Sequence, residues 1–296
     1  MEIFVKNLLI GVSTGCAYSL VGLGIVIIYK STRIFNFAIG GVTALGSFIF
    51  WGLAVSLQLN ILSSIILTMV AGLALGFVSE RIFLRPMIGQ PLMTSVMMTL
   101  AVGVVYEGVV FLVGEGKFRT LIPLIKTSTI TIGRFSLPSV YVLTIIVVLV
   151  LFACLSLFFK FTKIGLGMRA AAEDHKVAQS KGVVVTMVFG VSWGICLLIC
   201  CLCGIFLGSI VGSANHLIVS IALKAFPVVL CGGLESFLGC LIMGPTIGIV
   251  EIFSTAYMTT IIPWTGFDEV SPYLVMFVIM LFRPEGLFGL KRIERI

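Results

Sequence analysis

Between Ser139 and Phe159 the chain carries no charged side chain. At about 1.5 Å of rise per residue, a helix of that length spans the roughly 30 Å hydrocarbon core of a bilayer. The pattern recurs along the whole sequence. Apolar runs at about residues 7–29, 36–57, 61–79, 92–113, 139–159, 187–211, 217–233, 236–255 and 271–282 predict eight or nine membrane-crossing segments. A mean hydropathy of +1.23, with 59% hydrophobic and 10% charged residues, exceeds what a soluble core can bury, so apolar surface must face lipid. The expected fold is all-α, a polytopic membrane helix bundle forming a single transmembrane domain over residues 1–296. The first run is too long for the apolar core of a signal peptide and lacks a small-residue cleavage site, which makes it the first span.

The formal net charge is +7. In a soluble chain that balance would suggest nucleic acid, but here the basic residues sit in short loops and report topology, so no nucleic-acid partner is implied. Lys30 and Arg33, Arg81 and Arg85, Lys160 to Lys181, and Arg283 to Arg295 fall on one side if nine segments cross. A cell-membrane protein with its N-terminus outside and its C-terminus cytoplasmic follows. The loop at about 114–138, with Lys117, Arg119, Lys126 and Arg134, then lands outside. Its TSTITIGRFSLPS stretch alternates β-branched and polar residues, which suits a small hairpin or an irregular cap against the outer face.

Glycines are placed inside the spans, among them Gly11, Gly15, Gly22 and Gly24 in the first. Small residues at such spacings let helix backbones approach where lipid gives no hydrophobic driving force. Two runs go further: FNFAIGGVTALG, with Asn36, Phe37, Gly40 and Gly41, and PVVLCGGLESFLGC, with Gly232 and Gly233. Paired glycines predict discontinuous helices, and one such segment in each half of the chain fits a translocation pathway. Ordinary tight packing is the competing account. Asn36 also reads as a helix N-cap. Glu107 and Glu251 stand within apolar runs and are expected to face the bundle interior, either along a path or, as the favoured role, locking helices together. Cys196, Cys200 and Cys203 share a helix face, yet no His or acidic residue accompanies them, so small packing thiols are expected and not a metal site. His175 and His216 lie in loops without catalytic partners. With no nucleophile and base, no ligand cluster and no phosphate-cradling loop, neither an enzyme nor a cofactor site is expected.

One long charged stretch interrupts the spans, FTKIGLGMRAAAEDHKVAQSKGVVV at 161–185, within a cytoplasmic loop of about 160–186. Gly165 to Gly182 predicts a surface helix of roughly four turns between two glycine breaks, with Gly182 as its C′ residue. Arg169 and Glu173 are spaced to pair. Ala170, Ala171 and Ala172 make one region slim enough to enter a groove on another protein. A helix lying on lipid headgroups would instead want bulky apolar side chains.

These segments resemble the permease subunits of branched-chain amino-acid ABC importers, the leucine, isoleucine and valine uptake systems. The resemblance runs from about Gly11 to Gly289. It is carried by G-x-x-x-G-x-x-Y-S-L-V-G-L-G from Gly11, by Asn36-Phe37-Ala38, and by TKIGLGMRAAAEDHKVAQSKGV from Thr162. LKAFPVVLCGGLESFLG from Leu223 and FRPEGLFG from Phe282 complete it. Thr162 to Val183 is similar to that family's cytoplasmic coupling loop, with Gly165, Arg169, Glu173, Asp174 and Gly182 in the pattern as candidate ATPase-coupling residues. The family usually continues Asn-Phe-Ala with His-Gly-Glu, whereas Ile39, Gly40 and Gly41 follow here. The resemblance implies two cytoplasmic ATP-binding subunits, a second permease subunit in a heterodimer, and an external solute-binding protein that delivers the amino acid. Permeases for urea, short amides or other small polar solutes share this plan. A secondary transporter or channel is the remaining alternative and would place ionisable coupling residues near the midplane.

Overall fold

The computed structural model describes residues 2–122, 124, 129–132, 135–173, 175–258 and 266–289. The chain is helical almost throughout. In order the elements are α1 (Glu2–Thr32), α2 (Ile39–Trp51), α3 (Ile61–Ser79) and α4 (Leu92–Gly114), then β1 (Arg119–Thr120), β2 (Thr129–Ile132) and β3 (Phe135–Pro138). There follow α5 (Ser139–Phe161), α6 (Lys163–Glu173), α7 (His175–Ser180), α8 (Val185–Val211) and β4 (Ser213–Ala214). The chain continues through α9 (Ile218–Leu223), α10 (Ala225–Gly232), α11 (Phe237–Phe253) and α12 (Phe267–Phe282). Wider π turns extend α2, α3 and α11.

Among the described residues seven helices are long and apolar enough to cross a membrane, and Ile218–Gly232 forms a shorter apolar helical segment. Helices suit this setting because every interior backbone group is bonded within the segment and none needs water. α3, α4 and α5 turn most of their apolar side chains outward. The predicted hairpin is present, with Thr129 paired to Pro138 and Ile132 to Phe135 in antiparallel register.

Two compact units divide the chain, and α1 and α5 contribute to both. The first comprises Met1–Val26, Thr127–Phe152 and Lys224–Ile296. Its core is small-residue packing of α1 on α11. A Cβ on Gly15 would meet the backbone of Gly244 and Pro245, and one on Gly248 would meet Gly11 and Gly15. Two glycine pairs at four-residue spacing therefore face each other. Next to them the Ser19 hydroxyl donates to the Cys240 carbonyl at 3.0 Å, and the Cys240 thiol donates to the Ser19 carbonyl at 3.4 Å.

The second unit comprises Ile27–Lys126 and Ala153–Leu223, built around α2, which is buried from Ile39 to Phe48. α8 lies against α2 where Gly46 meets Cys201 and Gly204 meets Thr43, and α3 lies against α8 where Gly76 meets Gly194. β1 pairs antiparallel with β4, which holds the ends of α4 and α8 on one side of this unit.

Candidate functional site

The charged interruption folds as α6 and α7, helical on both sides of Asp174, which lies outside the described residues. Gly165 is not a break. α6 begins two residues earlier, where the Thr162 hydroxyl accepts the Gly165 amide at 3.0 Å as an N-cap. Thr162 also donates to the Phe158 carbonyl at 2.7 Å, so one hydroxyl sets the reversal from α5 into α6. Gly165 is needed for closeness: a Cβ there would lie 2.7 Å from the Phe158 carbonyl oxygen and the Phe159 Cα.

The far end matches expectation. Gly182 has φ +86°, its amide donates to Gln179, and the Val183 amide donates to Ala178, closing α7 with both bonds of a Schellman motif. At the end of α6, Arg33 donates from Nε to the Ala172 carbonyl at 3.1 Å. A guanidinium at a helix C-terminus offsets the partial negative charge of the exposed carbonyls.

Anchored in this way, α6 has two faces. Gly165, Gly167, Met168 and Ala171 are buried, while Leu166, Arg169 and Glu173 are exposed, and Val177 continues the outward face on α7. The alanine run does not form the presented face, because Ala171 is turned inward against the unit. Arg169 and Glu173 do not pair; both are free to meet another surface.

Asn36 is fully buried. It does not cap α2: helix begins at Ile39 after Ala38, and the Asn36 Oδ1 instead accepts the Ala38 amide at 2.9 Å, closing a turn before the helix. Its Nδ2 donates to the Cys196 sulfur at 3.9 Å. The Phe37 amide donates to the Thr99 hydroxyl at 3.3 Å, and Thr99 donates to the Phe35 carbonyl at 3.1 Å, which pins the extended segment to α4. Gly40 and Gly41 lie within continuous helix, contrary to the expected interruption. A Cβ on Gly40 would meet Val219 and Leu223 of α9, and one on Gly41 would meet Tyr106, Gly103 and Glu107 of α4. Their smallness is used for helix approach, and the irregular backbone is the segment just before them.

Gly232 and Gly233 belong to the first unit, where α10 does break. Gly233 has φ +100°, and its amide donates to Val229. The C-terminal FRPEGLFG stretch docks on this turn: the Leu287 amide donates to Cys231 at 2.7 Å and the Phe288 amide to Gly232 at 3.2 Å. A Cβ on Gly233 would lie 2.7 Å from the Gly289 amide. Two motifs about fifty residues apart thus form one backbone joint.

The two intramembrane carboxylates differ. Glu251 is buried and accepts from Lys224 Nζ at 2.6 Å, an ion pair linking the α9–α10 junction to α11. The locking role expected of Glu251 fits this pair, and Lys224 is the partner that sequence reasoning missed. Its signal was a lone cation in the middle of a short apolar run. Glu107, expected inside the bundle, is exposed on α4. The adjoining inward positions are taken by Tyr106, whose hydroxyl is hydrogen-bonded to Ser79, and by Val110. No group of three or more His, Cys, Asp or Glu side chains among the described residues is placed to hold a metal ion.

Residues 7–283 match the family described as the permease component of branched-chain amino acid transport systems. The chain is 25% identical over 307 residues to the high-affinity branched-chain amino acid transport system permease protein LivH of Escherichia coli strain K12, covering 99% of this chain and 98% of that one. Against the corresponding protein BraD of Pseudomonas aeruginosa it is 25% identical over 308 residues, with the same coverage. A probable LivH of Methanocaldococcus jannaschii is 28% identical over 305 residues, covering 94% and 90%. Among solved structures, PsaBC from Streptococcus pneumoniae in complex with Fab gives a TM-score of 0.53 at 12% identity, over 95% of this chain and 92% of that one, a likeness of fold.

Proposed function

We propose, from the premise that this chain belongs to the family of branched-chain amino acid transport system permease components, that it is a membrane-spanning subunit of an ATP-driven importer for branched-chain amino acids. Two cytoplasmic ATP-binding subunits supply the energy, a second permease subunit completes the passage as a heterodimer, and an external binding protein delivers the solute. The family match over nearly the whole chain carries this reading. The named relatives supply the solute class.

In this account α6 and α7 dock on an ATP-binding subunit. The exposed stripe of Leu166, Arg169, Glu173 and Val177 is the contact surface, Asp174 follows Glu173 in the sequence as a further candidate, and Gly165 and Gly182 set the angles at which the segment is held. Nucleotide-driven closure of the ATPase pair pushes on this stripe and shifts the spans between two states of access. Asn36, Phe37, Gly40 and Gly41, and separately Gly232 and Gly233, are the candidate pathway residues of this reading. The Lys- and Arg-rich loops support a docking segment and C-terminus in the cytoplasm and an N-terminus outside. The pairing of β1 with β4 supports that arrangement, because both follow helices that would end on the outer side.

Reconstitution tests this directly. Proteoliposomes holding both permease subunits and the ATPases are expected to accumulate leucine when binding protein and ATP are supplied, and not with a non-hydrolysable analogue. Substituting Arg169 and Glu173 by Ala is expected to lower uptake about tenfold or more, as loss of an anchoring charge at an interface does. Accumulation without the ATPases would favour a secondary transporter instead.

A further inference from the structure

Glu107 is the one acidic or basic residue in α4, and the structure leaves it facing outward. It lies seven residues before the end of the helix, about 10 Å along the axis at about 1.5 Å per residue, deeper than its short side chain can reach back. Nothing among the described residues hydrogen-bonds to it or ion-pairs with it. The fold can bury carboxylates elsewhere in its spans, since Glu80 and Glu251 are 5% and 8% exposed. Glu107 is treated differently. Next to it Gly108 has open space where a Cβ would stand, and Leu100, Val104 and Phe111 are exposed on the same side of the helix. On its other flank the backbone of α4 packs on α2, where the Glu107 amide lies 3.1 Å from the position a Cβ of Gly41 would take.

A carboxylate bare to hydrocarbon is not a stable arrangement, and one inside a span marks a water-filled path or a polar partner. The chemistry of this face is one acceptor of positive charge set among aliphatic and aromatic surface. It matches a small zwitterion with an ammonium group and a branched apolar side chain. We propose that Glu107 lines the solute path and receives the ammonium group of the passing amino acid, with Leu100, Val104 and Phe111 as the apolar surface beside it. This rests on the importer function proposed above. Gly108 leaves the space that a solute would occupy.

The test uses the reconstituted importer with leucine. Glu107→Asp is expected to keep uptake within about twofold, and Glu107→Gln to lower it about tenfold at unchanged membrane levels, because a charge-assisted contact is replaced by a neutral one. Glu107→Cys is expected to react with the water-soluble reagent aminoethyl methanethiosulfonate well above the wild-type level, and leucine with ATP is expected to slow that reaction. Wild-type uptake by Glu107→Leu, or a Glu107→Cys thiol no more reactive than wild type, would overturn the assignment. So would loss of the paired permease subunits from the membrane in Glu107→Gln, which would make the carboxylate an assembly contact. Failure of the importer function itself reads differently: wild-type proteoliposomes would not accumulate leucine, whatever the reactivity at position 107.

Discussion

Removing either Lys224 or Glu251 strands the other charge among apolar side chains, since both are more than nine-tenths buried. Breaking such a pair costs about 3–5 kcal/mol, whereas replacing both partners by apolar groups of similar size is often close to neutral. Lys224→Met or Glu251→Leu alone is therefore expected to lower the thermal midpoint of the detergent-solubilised protein sharply, and the double variant to recover most of the loss; equal losses in all three would exclude the ion pair as a lock. Gly182 acts through its backbone. Open space surrounds it, so Gly182→Ala meets no clash, and the left-handed φ of +86° alone should cost about 1–2 kcal/mol. Faster amide exchange across α7, with Gly182→Asn milder than Gly182→Ala, is the expected signature. This residue was readable in advance because a glycine closing a charged helix has one common use. Asn36 was not: the same side chain serves as a helix cap or as a turn before the helix, and only the start of α2 at Ile39 decides between them. Nor was the facing of Glu107, because periodicity says where a helix is apolar and not which side its neighbours cover.

At the scale of elements, the contact of α1 with α11 offers the sharpest test. Gly15 and Gly244 stand backbone to backbone, so Gly15→Leu must force the helices apart. Overpacking of this kind typically costs about 1–3 kcal/mol, and the expected result is a lower midpoint and less folded protein in the membrane. Gly108→Leu on α4 meets nothing within the chain and should leave the midpoint unchanged, which separates packing from general intolerance of bulk. The glycine spacing in the first span was visible in the sequence, but its partner on α11 was not, because a four-residue spacing does not name its mate. The paired glycines show the same limit. Gly232-Gly233 breaks a helix where the C-terminal stretch supplies hydrogen bonds to the freed carbonyls, whereas Gly40-Gly41 stays helical where α9 and α4 press on both residues. Identical dipeptides thus take opposite roles according to what surrounds them. The charged interruption was correctly placed as helix, yet its first glycine proved a point of close approach and its alanines partly a buried face.

For the molecule as a whole, hydropathy carried the most information. The long apolar runs emerge as helices near their predicted positions, because a bilayer leaves a continuous apolar run few alternatives. The run at 217–233 is instead two short helices around Lys224, where a cation interrupts the segment. The division into two units and the docking of the FRPEGLFG stretch on the α10 turn depend on contacts between distant parts of the chain, which no local pattern encodes. In the function proposed above, the outward stripe of α6 and α7 transmits ATP hydrolysis to these spans. The most direct test is the number of leucine molecules imported per ATP hydrolysed by proteoliposomes containing either the wild-type chain or the charge-reversed Arg169→Glu, Glu173→Arg variant. The wild type is predicted to couple the two, and the variant to insert normally while importing about tenfold less leucine. Import by the variant at the wild-type rate and ratio would contradict the assignment of this segment as the point of coupling.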